Sequence, residues 1–509
     1  MSSAPSHPNL EVLRSVGDSK VRKTVHVAGI SPPVVFSVHN SNIDALERAV
    51  KERVFYVKNA EGEFVAPPKP ASHEYFSDCL SGFTTILENF LPSTVPLTRQ
   101  QFVDTYRGRK QVIYQEALDS LLVSEFSRKD AYVKAFIKAE KMNITSKPDP
   151  VPRVISPRSP RYGVEAGRYI RRVEGEIYHA ITDVYGDVTV MKGLNAVDSG
   201  TLVAQKWGAF TFPVAVGLDA SRFDQHVSQA ALCWEHQQYI KCFTNQKHRN
   251  QLAMLLELQL VNKCFGKVPD GEVKYTTDGG RMSGDMNTGL GNCLIMCAMI
   301  HSYAAFRGVD IKLANNGDDC VVFMETCDLN TFNTGLHSWF EKMGFNMVAE
   351  EPVYNIEEIE FCQTRPVFVG PGITDYIMVR NPHTAICKDT VSITPLDTDK
   401  QFRGWLNAVG TGGLSLTGGI PVWQDFYGAY QKYGKFNPKT QTGWGWGVRK
   451  LAENLDRKYK TPSPATRASF YVAFGITPDE QLCLERFYQN VEIGVGDNPY
   501  ISDHVVLPL

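Results

Sequence analysis

The sequence predicts a mixed α/β (α+β) fold, and three observations carry that prediction. Apolar residues recur at helical spacing in several stretches, as at Ile43, Leu46, Val50 and Val54 within residues 42–57. Three short runs rich in β-branched and bulky apolar residues, 214–218, 311–314 and 320–324, read as strands. Acidic or polar turns bound those strands. A chain of 509 residues buries a sizeable core and divides into roughly two to four lobes. Hydrophobic residues at 43% and charged residues at 21% exclude a mostly disordered, collagen-like or coiled-coil chain.

In chain order, residues 1–35 are polar and Pro/Ser-rich and predict an extended arm. A helix is expected over 42–57, then a loop at the breaker run Ala66-Pro67-Pro68-Lys69-Pro70. Residues 75–90 and 98–124 are again helical in pattern, with Thr98 placed to cap the second. Residues 144–163 hold five prolines and four basic residues, which predicts an extended loop. Helices are expected over 225–260, 287–306 and 466–474. Gly-rich turns are expected at 410–419 and 443–447. The chain has no internal repeat.

Eleven cysteines without a CxxC pair predict reduced thiols in an intracellular protein and give no zinc-ligand spacing. The N-terminus lacks an apolar signal core. The longest apolar stretch, 294–305, is broken by His301 and reads as too short to span a bilayer, so no helical membrane anchor is expected. The net charge of −2 argues against a simple basic nucleic-acid binder. Its distribution argues the other way. Between Lys134 and Arg172 ten basic residues face three acidic ones, a local charge of +7 that leaves −9 for the remainder.

Three segments carry chemistry. Asn316-Gly317-Asp318-Asp319 lies between two apolar runs, and Asn-Gly there signals a hairpin turn. Adjacent carboxylates on a buried hairpin are costly without a neutralising cation, although Asp and Asn also occur in ordinary solvated turns. Residues 214–218 lead straight into Asp219, with Asp224 five positions on; helix capping also explains such a pair. A Gly-rich loop from Gly279 to Gly284 runs into a helix on which Thr288 and Asn292 share a face. Taken singly, a capped core helix explains that segment. Together, two carboxylate-bearing strand ends suit a metal pair for in-line phosphoryl transfer.

Asp219-x4-Asp224, Ser283-Gly284-x3-Thr288-x3-Asn292 and Gly317-Asp318-Asp319 resemble, in order and separation, motifs A, B and C of RNA-directed RNA polymerases. The fuller strings around them resemble the replicases of tombusvirus-like plant viruses (Tombusviridae and umbravirus relatives), from about residue 35 to about 433. Residues 136–141 with 152–158 resemble motif F, whose basic residues, here Lys138, Lys141, Arg153 and Arg158, grip the triphosphate. Residues 97–110 resemble a template-facing fingers segment, with Thr98, Arg107, Arg109 and Lys110 as RNA contacts or a surface patch. Phe361-Cys362-Gln363 resembles motif E. Lys342 falls where motif D is expected and is a candidate to protonate the pyrophosphate, or simply complements a helix dipole.

The resemblance implies a right-hand fold: an arm at 1–35, fingers at 36–213, a palm on a small antiparallel sheet at 214–372 with a fingers insertion at about 236–280, and a thumb at 373–509. It implies that Asp219, Asp318 and Asp319 hold two Mg²⁺, with Mn²⁺ as a substitute. Asp224, Ser283, Gly284, Thr288 and Asn292 would surround the nucleotide and read the ribose 2′-OH. It further implies NTPs, template and product RNA, a viral auxiliary replication protein and host factors as partners. The setting is the host cytoplasm, in replication complexes attached to membrane through partners or an upstream segment. Trp444 and Trp446 are candidates for stacking the first nucleotide in primer-free initiation. A reverse transcriptase and a non-catalytic RNA-binding scaffold are the competing readings; Asn316, where reverse transcriptases carry an aromatic residue, and the intact carboxylates speak against them.

Overall fold

A four-stranded antiparallel sheet organises the chain. Its strand order is Lys312–Asn316, Asp319–Glu325, Pro213–Ala220, Met347–Ala349. The computed structural model describes residues 4–19, 21–438, 452 and 454–495. The two inner strands are apolar at almost every position because both faces of this sheet are covered. Val214, Val216, Leu218, Cys320, Val322 and Met324 point into one core, with the buried helices Pro160–Tyr185 and Thr288–Arg307. Ala215, Val321 and Phe323 point into a second core, with the helices Asp399–Thr417, Trp423–Tyr433 and Pro464–Phe474.

Two further sheets, one of four strands and one of three, recruit the N-terminal residues. Leu10–Arg14 adds to the hairpin Val261–Val268/Gly271–Asp278, and Val25–Ala28 lies between Val391–Ser392 and Gly494–Val495. The expected arm is thus extended, and paired at both ends. The hairpin itself, and the 26-residue helix Pro160–Tyr185, went unpredicted.

Other departures have local causes. The expected helix 225–260 is three: Phe223–His226, Gln229–Lys241 and Gln246–Glu257. Ser228 and Asn245 cap the second and third with their side chains, a role these residues favour over helix interiors. Residues 98–124 divide into Arg99–Asp104, capped by Thr98, and Gly108–Val123. Residues 42–57 form the helix Ile43–Val50 and a π-turn Lys51–Phe55. The expected loop 144–163 contains the short strand Val154–Ile155, paired with Phe136–Ile137, and ends where the long helix starts at Pro160.

Of the glycines expected to turn at 410–419, only Gly418 and Gly419 do so, just past the end of a helix. Gly410 and Gly413 lie inside the helix Asp399–Thr417, and a Cβ on Gly413 would overlap the Tyr427 ring of the neighbouring helix. Glycine there permits close helix contact. The expectation of an apolar segment too short to span a bilayer is corrected. Thr288–Arg307 is 20 residues long and apolar enough to cross one, but 72% of its apolar 18-residue window is buried inside the protein, as in a core helix. Residues 443–447, with Trp444 and Trp446, lie outside the described residues.

Candidate active site

The sheet register brings the acidic residues together. Asp219, near the end of Pro213–Ala220, pairs directly with Asp319 at the start of the adjacent antiparallel strand. Opposed residues in such a pair have Cα atoms about 4.5–5.5 Å apart. Asp318 stands at the tip of the hairpin. The two-residue turn is Gly317-Asp318, one position later than the Asn-Gly signal suggested. Gly317 takes the positive φ, 73°, that a tight hairpin favours at its first central position. Asn315 Nδ2 donates to the Gly317 carbonyl at 2.7 Å, and the Gly317 N–H donates to Cys293 Sγ at 3.2 Å, so the turn is held from beneath.

These carboxyls are electrostatically frustrated. Burial in the cavity wall, then the neighbouring Asp219, push the Asp318 carboxyl above its ordinary range. Burial and then Asp318 do the same to Asp319, partly offset by the Cys362 N–H donating to Oδ2 at 2.8 Å. A fourth carboxylate, missed from the sequence, joins them. Glu350 packs over Gly217, where a Cβ would collide with it, and is raised by burial, Glu360, Asp219 and Asp319. Among the described residues none of Asp219, Asp318 or Asp319 forms an ion pair with a basic side chain. Nor do three His, Cys, Asp or Glu groups converge as a ready-made cage. Hard carboxylate oxygens in excess, without a closed cage, fit a Mg²⁺-like ion that shares its shell with substrate phosphates.

Asp224 is fixed differently. Asn292 Nδ2 donates to Asp224 Oδ1 at 2.9 Å, and Arg281 Nε donates to Asn292 Oδ1 at 2.8 Å. Arg281 is itself paired on both terminal nitrogens with Glu235, whose carboxylate also accepts from Tyr239 and Asn287. Arg281, Glu235 and Asn287 are fully buried and were not singled out in the sequence, because a scattered buried network has no spacing to read. Thr288 Oγ1 donates to the Met282 carbonyl at 2.6 Å, and the Ser156 N–H donates to Ser283 Oγ at 3.0 Å. Gly284 lies against Pro157, whose Cα a Cβ would approach to 2.5 Å. The Gly-rich loop is therefore seated on the strand that follows Arg153.

Two cavities meet at this turn. The larger, about 1170 Å³, is lined by Asp219, Asp224, Ser283 and Asp318 and by cations that include Arg53, Lys138, Lys147, Arg153 and Arg222. Lys138 and Arg153 share Glu140, at 3.0 and 3.6 Å. Arg53 and Arg222 are additions the sequence did not flag. Burial, then Arg222 and Arg153, push the Arg53 guanidinium down to about 10, and its Nε has no hydrogen-bond partner. The smaller cavity, about 520 Å³, also reaches Ser283 and Asp318 and is lined by Gly284, Thr288, Asn292, Lys110 and Lys192.

Other expected residues are placed elsewhere. Arg158 does not line either cavity; it is buried in a two-pronged ion pair with Asp285, with Asn262 and the Ala131 carbonyl completing its bonds. Lys141 turns away to donate to the Lys388 carbonyl at 2.8 Å, and burial pushes its ammonium down to about 8. Thr98 caps its helix, Arg107 and Arg109 are exposed away from both cavities, and Lys342 is exposed at the end of Leu336–Lys342.

The sequence profile of the family described as viral RNA dependent RNA polymerase matches residues 10–496. The chain belongs to that family. It is 47% identical to the RNA-directed RNA polymerase of Oat chlorotic stunt virus (isolate United Kingdom) over all of this chain and 69% of that relative. It is 44% identical to that of Tobacco necrosis virus (strain A), over 96% of this chain and 67% of the relative. It is 41% identical to that of Turnip crinkle virus, over 96% and 62%. The tombusvirus-like resemblance therefore holds, and the chain spans between half and about two thirds of the curated relatives it matches. A polymerase of this class is a nucleotidyltransferase that binds template RNA and NTPs and depends on divalent metal.

Proposed function

We propose that this polymerase copies the genome of a positive-strand RNA virus by transferring nucleotides from NTPs to an RNA 3′-hydroxyl at the turn Gly317-Asp318. The observation that carries the reading is the register that sets Asp219 opposite Asp319, with Asp318 on the wall shared by a cation-lined cavity and a second channel. The four-stranded sheet then serves as the palm, residues 36–213 as the fingers, with an insertion at about 236–280, and 373–509 as the thumb.

Asp219, Asp318 and Asp319 would hold two Mg²⁺, which when bound supply charge for the attacking and leaving oxygens. Lys138, Arg153, Arg53 and Arg222 neutralise the triphosphate on the other side. Asp224 and Asn292, locked together, present polar atoms to the ribose, and only a ribonucleotide offers a 2′-OH in return. Arg158 serves here as a brace that fixes the triphosphate strand to the Gly-rich loop. Initiation without a primer, and attachment to host membranes through partners, belong to the same reading.

The test is synthesis of complementary RNA by the purified protein with template, four NTPs and Mg²⁺, run with and without primer. Wild type is expected to make product and Asp318→Ala none. Product from the variant at the wild-type rate would sink the assignment of the carboxylates. Incorporation of dNTPs as efficient as NTPs would favour a reverse transcriptase instead.

A further inference from the structure

The smaller cavity contains a cation that the triphosphate reading does not use. Lys192 sits in the link between the helices Pro160–Tyr185 and Ala196–Trp207. Its backbone is fixed to the catalytic hairpin. The Met191 N–H donates to the Asn315 carbonyl at 2.8 Å, the Asn315 N–H donates to the Thr189 carbonyl at 3.0 Å, and Val190 bridges to Asn315 as an added strand. Gly193, with φ of 87°, turns the chain into the helix that Asn195 caps. Lys192 and the turn Gly317-Asp318 therefore share one frame.

The side chain runs over the helix that carries Thr288 and Asn292. A Cβ added to Gly289 would meet Lys192 Cε and Nζ, each at 2.9 Å, so the glycine leaves room for the ammonium. Lys192 lines the cavity with Asn316, Gly317 and Asp318, and its charge works against the rise of the Asp318 carboxyl. It makes no hydrogen bond or ion pair among the described residues, unlike Lys138 or Arg171, each of which has a carboxylate partner. A half-buried ammonium held in place without an anion is a site for one.

Nucleotidyl transfer brings two phosphate-bearing reactants to Asp318. The cations of the larger cavity answer the triphosphate. The strand that supplies the 3′-hydroxyl carries its nearest phosphodiester one sugar away from the attacking oxygen, and the smaller cavity is the second space open to Asp318. We propose that Lys192 binds the terminal phosphodiester of the growing RNA strand and positions its 3′-hydroxyl beside Asp318. This rests on the polymerase reading above.

The experiment is extension of a preformed RNA primer–template. Wild type is expected to extend and Asp318→Ala to fail; if wild type does not extend, the polymerase reading falls, not the role of Lys192 alone. Lys192→Ala is expected to raise KM for the primer–template about tenfold, the scale of one charged hydrogen bond. The KM for NTP should stay within twofold, and Lys192→Arg should recover most of the loss. In wild type, a neutral methylphosphonate at the primer's last linkage should cost a similar factor, while the same change in the template strand should not. In Lys192→Ala that methylphosphonate should cost nothing further. A template-strand effect, a raised NTP KM, or a full methylphosphonate penalty in the variant would each overturn the assignment. If Lys192→Ala does not fold, Lys192→Gln takes its place in each comparison with the same expected and overturning results.

Discussion

Asp318 shows what a site held ready for a cation costs the fold. Burial and Asp219 raise its carboxyl, so the folded chain holds that proton more tightly than the unfolded chain does. The resulting stability is present below the ordinary carboxyl range and is lost as pH rises through the raised value. At neutral pH without divalent metal, the ionised group therefore destabilises. Asp318→Asn is expected to melt higher than wild type in chelator at pH 7, on the order of one degree. The gap should close near pH 4 or on adding Mg²⁺; a variant that melts lower than wild type in chelator contradicts the frustration. Asn292 gives a second residue-scale prediction. Asn292→Ala unhooks Asp224 and leaves Arg281 Nε without its partner, so the ratio of kcat/KM for NTP over dNTP should fall by roughly tenfold. An unchanged ratio in single-nucleotide incorporation would remove Asn292 from sugar selection.

At the scale of elements, two contacts carry the architecture around the site. Arg158 fastens the strand after Arg153 to the Gly-rich loop through Asp285, with side chains 2% and 3% exposed. Arg158→Ala strands a buried carboxylate and should cost about 3–5 kcal/mol in denaturant unfolding, and Arg158→Met with Asp285→Leu should recover much of it. If the single variant costs under about 1 kcal/mol, the brace is not structural. In the second core the helices Asp399–Thr417 and Trp423–Tyr433 touch through Gly413 and Tyr427. Gly413→Ala should overpack that contact by about 1–3 kcal/mol, read as a lower Tm. An alanine tolerated without loss of Tm would show that Gly413 does not set the spacing of these helices. The sequence shows glycines in both cases alike; whether a glycine makes a turn or a close helix contact depends on the neighbour facing it.

Across the whole molecule, charge is arranged rather than summed. Of the ten basic residues between 134 and 172, Arg158, Arg161, Arg171 and Arg172 are paired with acids away from the main cavity, and Lys138 and Arg153 share the single carboxylate of Glu140. Lys138, Lys147 and Arg153 line the main cavity, joined by Arg53 and Arg222 from outside that stretch. RNA binding should therefore be salt-sensitive despite a net charge of −2. About four neutralised phosphates on a single strand give a log–log slope near −3 in filter binding. A slope near zero would exclude a cationic channel. The N-terminal residues join two distant parts of the chain, pairing with Gly271–Asp278 at one end and with Val391–Ser392 at the other. Val27→Pro removes the N–H that donates to Thr390 and should expose residues 15–30 to limited proteolysis.

The acidic and polar motifs were legible in the linear chain because strand alternation and hairpin turns are local. A run of apolar residues ending in Asp219, and another beginning after Asp319, already fix where carboxylates leave a strand. The sequence by itself determined the mixed α/β class, the carboxylate-bearing strand ends and the helix face of Thr288 and Asn292. Tertiary structure alone decided which charges remain available. Arg158 and Lys141 look like triphosphate ligands in the sequence, yet one is consumed by Asp285 and the other by a carbonyl 247 residues away. Arg53 and Lys192 look ordinary, yet they line the two cavities, and Glu350 packs over Gly217 beside Asp219 and Asp319. Charge neutralisation and burial act through space between residues far apart in the chain, so no local pattern records them.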